Sequence, residues 1–160
     1  MPQKDIFIDN NVAKNFSNPV DPEYKKLIQW LIANKVDQRG KNAHLVISNK
    51  LIAEYKRTSR DAFSLTNIVV IIDKLTREGR LIKISNQEIK SFKQKYFTKR
   101  VEKKLMCNQE DRDHIPVVLL SYRKYALSLD DKFLYDLKNF PGFTVLAEKR
   151  PEDLPYDEVM

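Results

Sequence analysis

Carboxylates recur in this 160-residue sequence where an apolar run has just ended or is about to begin. Asp9 closes IFID, and Glu54 follows shortly after AHLVIS. Asp111 and Asp113 stand just before IPVVLL, and Asp130 and Asp131 follow ALSL. Acids brought to one place repel one another unless something positive lies between them. A hard divalent cation, Mg²⁺ or Mn²⁺, suits such a set, because it takes oxygen ligands in octahedral geometry and keeps several waters. Whether these acids meet depends on the elements that carry them.

The pattern predicts those elements. DIFID reads as a short buried strand, and NNVAKNF starts a helix with Asn10 or Asn11 as N-cap. A second helix begins at Asp21 and Pro22, a cap followed by a proline in the first helical position. Leu27, Ile28, Leu31 and Ile32 keep its helical period. DQRGKN is a turn and AHLVIS a second strand. Ser48 or Asn49 caps the next helix, and residues 61–80 form another, closed by Gly79. LIKI is a third strand, followed by one long basic helix over 86–106. A helix over 109–125 carries acids at its start, which suits the helix dipole. ALSL is a fourth strand, DDKFLYDLKNF a short helix and FTVL a fifth strand.

Strands that alternate with helices make βαβ units. The expected fold is a three-layer α/β/α sandwich around a central, mostly parallel five-stranded sheet. One domain over 1–150 is expected, with a polar, proline-containing and loosely held tail over 151–160. Ligand sites in such sheets form at the carboxyl edge, where the strand order reverses. A reversal after the first half of the sheet places strand four beside strand one, and the acids near that reversal.

Composition narrows the function classes. The net charge is +7, from 29 Lys and Arg against 22 Asp and Glu, and a basic excess favours polyanions such as RNA or DNA. Three glycines, Gly40, Gly79 and Gly142, are too few and too scattered for a phosphate-cradling loop. Cys107 is the only cysteine, which excludes an intrachain disulfide and suits a reducing cytosol. His44 and His114 share no zinc spacing with it. No serine has the Gly-x-Ser-x-Gly setting of a hydrolase nucleophile. No apolar run reaches the roughly 20 residues that span a bilayer, and MPQKDIFID lacks a signal-peptide core. A cytoplasmic protein with no membrane association is expected.

The ordered acids resemble those of the PIN domain (PilT N-terminus-like) ribonucleases, and of the VapC-type toxins among them. IFIDNNV is similar to the family's first strand, with Asp9 and Asn11. LVISNKLIAEYKR supplies Glu54 as the second acid, and DRDHIPVVLLSYRKYALSL opens on the third. Asp113 takes that third place because it directly precedes the apolar run. Asp111 is its alternate, since helical spacing puts it on the side of Ile115 and Val118. SLDDKFL is similar to the family's turn after the next strand, with Ser128, Asp130 and Phe133 in order and Asp131 as alternate to Asp130. The resemblance implies a metal-dependent endoribonuclease. Asp9, Asp113 and Asp130 would hold Mg²⁺ or Mn²⁺, and such ions activate water and neutralise phosphate oxygens. Glu54 would orient a water or help bind a second ion. Asn11 or Ser128 would hydrogen-bond a ligating carboxylate or the metal-bound water, and such donors fix ligand direction. The resemblance also implies RNA as substrate, an antitoxin-like protein partner if the chain is a toxin, and a homodimer. The other class of reading is a module that keeps the fold and binds RNA or protein without catalysis.

The residues also offer a track for RNA. Residues 90–104 read KSFKQKYFTKRVEKK, with Lys90, Lys93, Lys95, Lys99, Arg100, Lys103 and Lys104 against Glu102. Cations there would neutralise phosphates. Phe92, Tyr96 and Phe97 would either stack on bases or, as their shared helical side favours, face the core.

Overall fold

The most apolar short runs become the centre of the sheet. In the computed structural model, which describes residues 4–35, 42–59 and 64–158, β1 (Lys4–Ile8), β2 (Ala43–Ile47) and β4 (Tyr125–Leu127) are buried along almost their whole length. Strands that carry apolar residues on both faces need helices on both faces, as in parallel sheets. β3 (Leu81–Lys83) and β5 (Leu146–Glu148) are less buried and form the edges, in the order β3-β2-β1-β4-β5. All four pairings are parallel, with Ile6 opposite Leu45 on one side of β1 and Ile8 opposite Leu127 on the other.

Eight α-helices are formed by the described residues. α1 (Asn10–Ala13) and α2 (Pro22–Ile32) join β1 to β2, and α3 (Asn49–Thr58) and α4 (Ile68–Arg77) join β2 to β3. α5 (Asn86–Tyr96), α6 (Lys99–Lys104) and α7 (His114–Leu119) lead to β4, and α8 (Asp131–Lys138) leads to β5. Right-handed crossovers place α1–α4 on one face and α5–α8 on the other, and the packing of α1 on α3, α2 on α4 and α5 on α7 agrees. The expected three-layer sandwich is therefore the observed fold, with the sheet parallel throughout. The strand order reverses between β1 and β4, so the carboxyl ends of these two parallel strands face a crevice.

Two expected caps locate their helices, whereas α1 is capped by Asp9 and not by Asn10 or Asn11. Asp21 accepts from the Glu23 N–H, and Ser48 from the Leu51 N–H. Ser85 and Glu88 form a reciprocal capping box at the start of α5; such caps are each worth about 1 kcal/mol.

Other expectations change, and the fifth strand, expected at FTVL, forms at Leu146–Glu148. The helix expected over 61–80 begins at Ile68, because Ser64 and Thr66 hydroxyls bond the carbonyls of Ser17 and Phe16 and Asn67 supplies the cap; residues 61–63 lie outside the described ones. So does most of the DQRGKN turn. The single basic helix is two helices, because the Thr98 side chain accepts from the Val101 N–H and restarts the chain direction. The helix expected over 109–125 is a 3-10 turn (Asp111–Asp113) followed by the short α7. Pro116 falls in the first turn of α7, where a missing N–H costs little. The tail is docked as far as it is described: Leu154 is buried, and Tyr156 packs on Trp30 with ring centroids 4.9 Å apart.

Phe92 is buried at the centre of an aromatic cluster. Its ring lies 4.6 Å from Tyr96, 5.5 Å from Phe143 and 6.0 Å from Phe140. These aromatics hold α5 and the segment after α8 together, so they serve the core and not base stacking. No helix among the described residues is long and apolar enough to cross a membrane.

Candidate metal centre at the carboxyl edge

β1 delivers Asp9 to the crevice. The Asp9 N–H still bonds the Leu127 carbonyl at 2.9 Å, so the residue is held to the sheet while its side chain starts α1. One carboxylate oxygen accepts from the Asn10 N–H at 2.8 Å and the other from the Ser128 hydroxyl at 2.7 Å. The side chain is nearly buried, at 7% exposure. Burial pushes its pKa up; the Ser128 bond, His114 and the Asn10 N–H pull it back, and the nearby Glu54 charge pushes it up again.

Ser128, fully buried after β4, is the hub of this edge. Its oxygen also accepts from the Asp130 N–H at 3.1 Å and from the Asn11 amide at 3.4 Å. The Asn11 carbonyl oxygen in turn accepts from the Leu129 N–H at 3.0 Å. The turn after β1 and the turn after β4 are thus tied together through two short polar side chains. Asp130 caps α8, with one carboxylate oxygen accepting from the Lys132 and Phe133 N–H groups at 2.9 and 3.2 Å. Asp131 is exposed and pairs with Lys149 at 2.6 Å.

α3 brings Glu54 to the same place. The Tyr55 hydroxyl donates to the Ile8 carbonyl, and the Thr58 hydroxyl bonds Asn10 at 2.8 Å, which locks α3 against the end of β1. The Glu54 carboxylate accepts from His114 Nε2 at 3.0 and 3.1 Å. His114 is 1% exposed and lies against Phe7 and Phe133. Its Nδ1 is buried with no hydrogen-bond partner among the described residues. Asp9, Glu54 and His114 each offer one donor atom within 4.8 Å of the others.

The two acids before α7 part company. Asp111 is pushed up to about 6 by burial, by the charges of Asp9 and Asp130, and by a hydrogen bond shared with Asp130. Asp113 lies between Lys50 Nζ, at 3.0 Å, and Lys93 Nζ. Burial would raise its pKa, but the two lysines outweigh it and hold the carboxyl below its ordinary value.

The structure therefore brings Asp9, Glu54, Asp111 and Asp130 to one edge with Asn11 and Ser128. It turns Asp113 toward lysines and Asp131 toward solvent. Of the basic residues, Lys90, Lys95, Lys99, Arg100, Lys103 and Lys104 are exposed, while Lys93 is half-buried in its pair with Asp113. Glu54 lies at the edge where the resemblance implies a site acid, and His114, set aside in the sequence for want of a zinc spacing, bonds it because it is the first residue of a helix that is buried throughout. The signal was available: a histidine directly before IPVVLL starts a core helix and has no surface to face.

The donor set fits a divalent ion. Buried carboxylate oxygens crowd closely enough to raise one another's proton affinity, and a cation placed among them would relieve that repulsion. The oxygens suit Mg²⁺ or Mn²⁺.

A five-stranded parallel α/β sandwich with acids converging beside its topological switch point defines the architecture. No family model matches the chain, and no curated protein does. Among solved structures the fold is similar to a chain in the crystal structure of VapBC2 from Rickettsia felis bound to a DNA fragment from its promoter. The TM-score is 0.55 at 16% identity, over 89% of this chain and 98% of that one. At that identity the likeness is one of fold, and it agrees with a PIN-like architecture.

Proposed function

We propose that this protein is a metal-dependent endoribonuclease of the PIN type, with Asp9, Asp111 and Asp130 as carboxylate ligands and Glu54 beside them. The observation that carries this reading is the buried Asp9 carboxylate, held by Ser128 and Asn10 and facing three other acids where the strand order reverses. Asp111 takes the third place in preference to Asp113, whose carboxylate is already neutralised by two lysines.

A bound Mg²⁺ or Mn²⁺ supplies Lewis-acid stabilisation of phosphoryl oxygens and an acidified water. The chain's own residues then have separate tasks. Ser128 and Asn10 fix the direction of both Asp9 oxygens, as partners of ligating carboxylates do. Asn11 holds the turn that carries Asp130. Glu54, oriented through both oxygens by His114 Nε2, is placed to accept the proton of the attacking water. Hydrolysis joins that water's oxygen to phosphorus and releases the leaving strand. The exposed cations of α5 and α6, with Lys90, Lys95, Lys99, Arg100, Lys103 and Lys104, would carry the RNA backbone toward the edge.

The likeness to a chain of a VapBC2 assembly supports a toxin-like setting. We place the chain there, in the cytoplasm, with an antitoxin-like protein partner and self-association as accompanying proposals. The test is cleavage of a pool of labelled RNAs with Mn²⁺, with Mg²⁺ and with EDTA, beside Asp9→Asn. Cleavage that requires metal and disappears in the variant is expected. No cleavage under any condition, together with no metal bound, would assign the fold to a non-catalytic RNA- or protein-binding module.

A further inference from the structure

Beside the acids lies a second, oppositely charged feature. A hollow of about 460 Å³ opens between the start of α3, the exposed side of α5 and the turn before α7. Lys50, Lys90 and Lys93 line it, together with the amides of Asn86 and Gln94. Its one acid is Asp113, which bonds both Lys50 and Lys93. Lys50 also donates to the Glu110 carbonyl at 2.6 Å, so its ammonium is held in place at the rim. Three lysines against one carboxylate leave an excess of positive charge around an open concavity whose lining also includes Ile89.

The hollow is next to the acid edge by construction. Lys50 and Glu54 are four residues apart on α3, which puts them on one face about 6 Å apart along the axis. Asp113 and His114 are consecutive, and one touches the lysines while the other touches Glu54. A nucleic-acid strand with one phosphate at the acids therefore has a neighbouring phosphate within reach of the lysines.

We propose that this hollow is a phosphate subsite for the RNA strand, and that Asp113 is an internal anion that occupies Lys50 and Lys93 until a substrate phosphate replaces it. The inference rests on the nuclease reading for the identity of the anion. It gives Asp113 a positioning role outside metal binding. An internal carboxylate of this kind keeps the two lysines pointed inward in the free protein. It also sets a threshold against weak anions, because any ligand must displace it.

The experiment uses a single-stranded RNA oligonucleotide and the full chain in EDTA, with Asp9→Asn present throughout so that no hydrolysis intervenes. Affinity is measured across a salt series. Adding Asp113→Asn is expected to tighten binding severalfold, because both lysines become free. Adding Lys50→Ala with Lys93→Ala is expected to weaken binding about tenfold and to reduce the salt slope by about 0.7, the value for one phosphate contact on a single strand. Unchanged affinity in both variants overturns the subsite. Tighter binding of an oligoglutamate peptide by Asp113→Asn, with RNA unaffected, also overturns it and assigns the hollow to an acidic protein segment. Metal-dependent cleavage by the otherwise unaltered chain is scored separately. Cleavage without an Asp113→Asn response removes the subsite alone; the response without cleavage removes the nuclease reading and keeps the RNA-binding hollow.

Discussion

Asp111 and Asp113 are two residues apart in one 3-10 turn, yet they stand in opposite electrostatic surroundings. Asp111 faces Asp9 and Asp130 and holds its proton up to about pH 6. Asp113 faces Lys50 and Lys93 and gives its proton up more readily than an ordinary carboxyl. Chain position is almost the same, residue type is the same, and the roles differ. The difference shows that a carboxylate's chemistry is set by what the fold places opposite it. The acid edge is a region of unrelieved like charge and asks for a cation. The lysine hollow is a region of excess positive charge and asks for an anion. A phosphodiester held with metal needs both, side by side.

The largest expected effect comes from emptying the acid edge. Asp9→Asn should lower RNA cleavage by more than about 100-fold, beyond what losing a ligand's hydrogen-bond partner costs, when initial rates are compared in saturating Mn²⁺. Retained cleavage would dissolve the comparison, since Asp9 is its anchor. Ser128→Ala should cost less, about 10- to 100-fold in metal affinity or rate. It leaves the carboxylate in place but removes the bond that aims one oxygen, so raising the Mn²⁺ concentration should recover part of the loss.

A smaller effect concerns stability and separates the two acids directly. For Asp111, the folded pKa of about 6 lies above the ordinary carboxyl value of 3.8, so in the metal-free protein the native state binds more protons than the unfolded state between these limits. Stability contributed by this group is present below about pH 4 and is lost as pH rises through about 6. Asp111→Asn should therefore flatten the decline in urea midpoint across that window. Asp113 has the opposite sign. Its lowered pKa contributes stability above the ordinary carboxyl value, lost as pH falls through the folded one, so Asp113→Asn should remove a gain with rising pH below about 4. Identical pH profiles for the two variants would contradict the contrast.

Much of the fold was legible because its signals are local. Buried parallel strands are short apolar runs, and Asp21 and Ser48 are caps whose hydrogen bonds need only the next turn of chain. The return of β4 beside β1 followed from the reversal rule and is observed. What was not legible depends on distant groups. The basic helix carries one continuous pattern, yet Thr98 divides it because its side chain competes for the Val101 N–H. Tyr156 reads as part of a polar tail until Trp30 is found opposite it. At the site, Asp9 could be picked out because it follows a strand that ends at the switch point, while Asn11 and Ser128 came from the family resemblance. Asp111 and Asp113 could not be told apart by spacing alone. Their surroundings are supplied by Lys50 on α3, Lys93 on α5 and Asp9 on β1, none of which is near in sequence. His114 needed the knowledge that α7 is buried all round.

The claim that Asp111 belongs to the metal and Asp113 to the lysines is tested most directly by Mn²⁺ calorimetry on the unaltered chain, Asp111→Asn and Asp113→Asn. The account predicts affinity reduced at least about tenfold in Asp111→Asn and within about twofold of the unaltered chain in Asp113→Asn, given the usual cost of disturbing a metal's ligand sphere. Loss confined to Asp113→Asn, or equal loss in both, would contradict it.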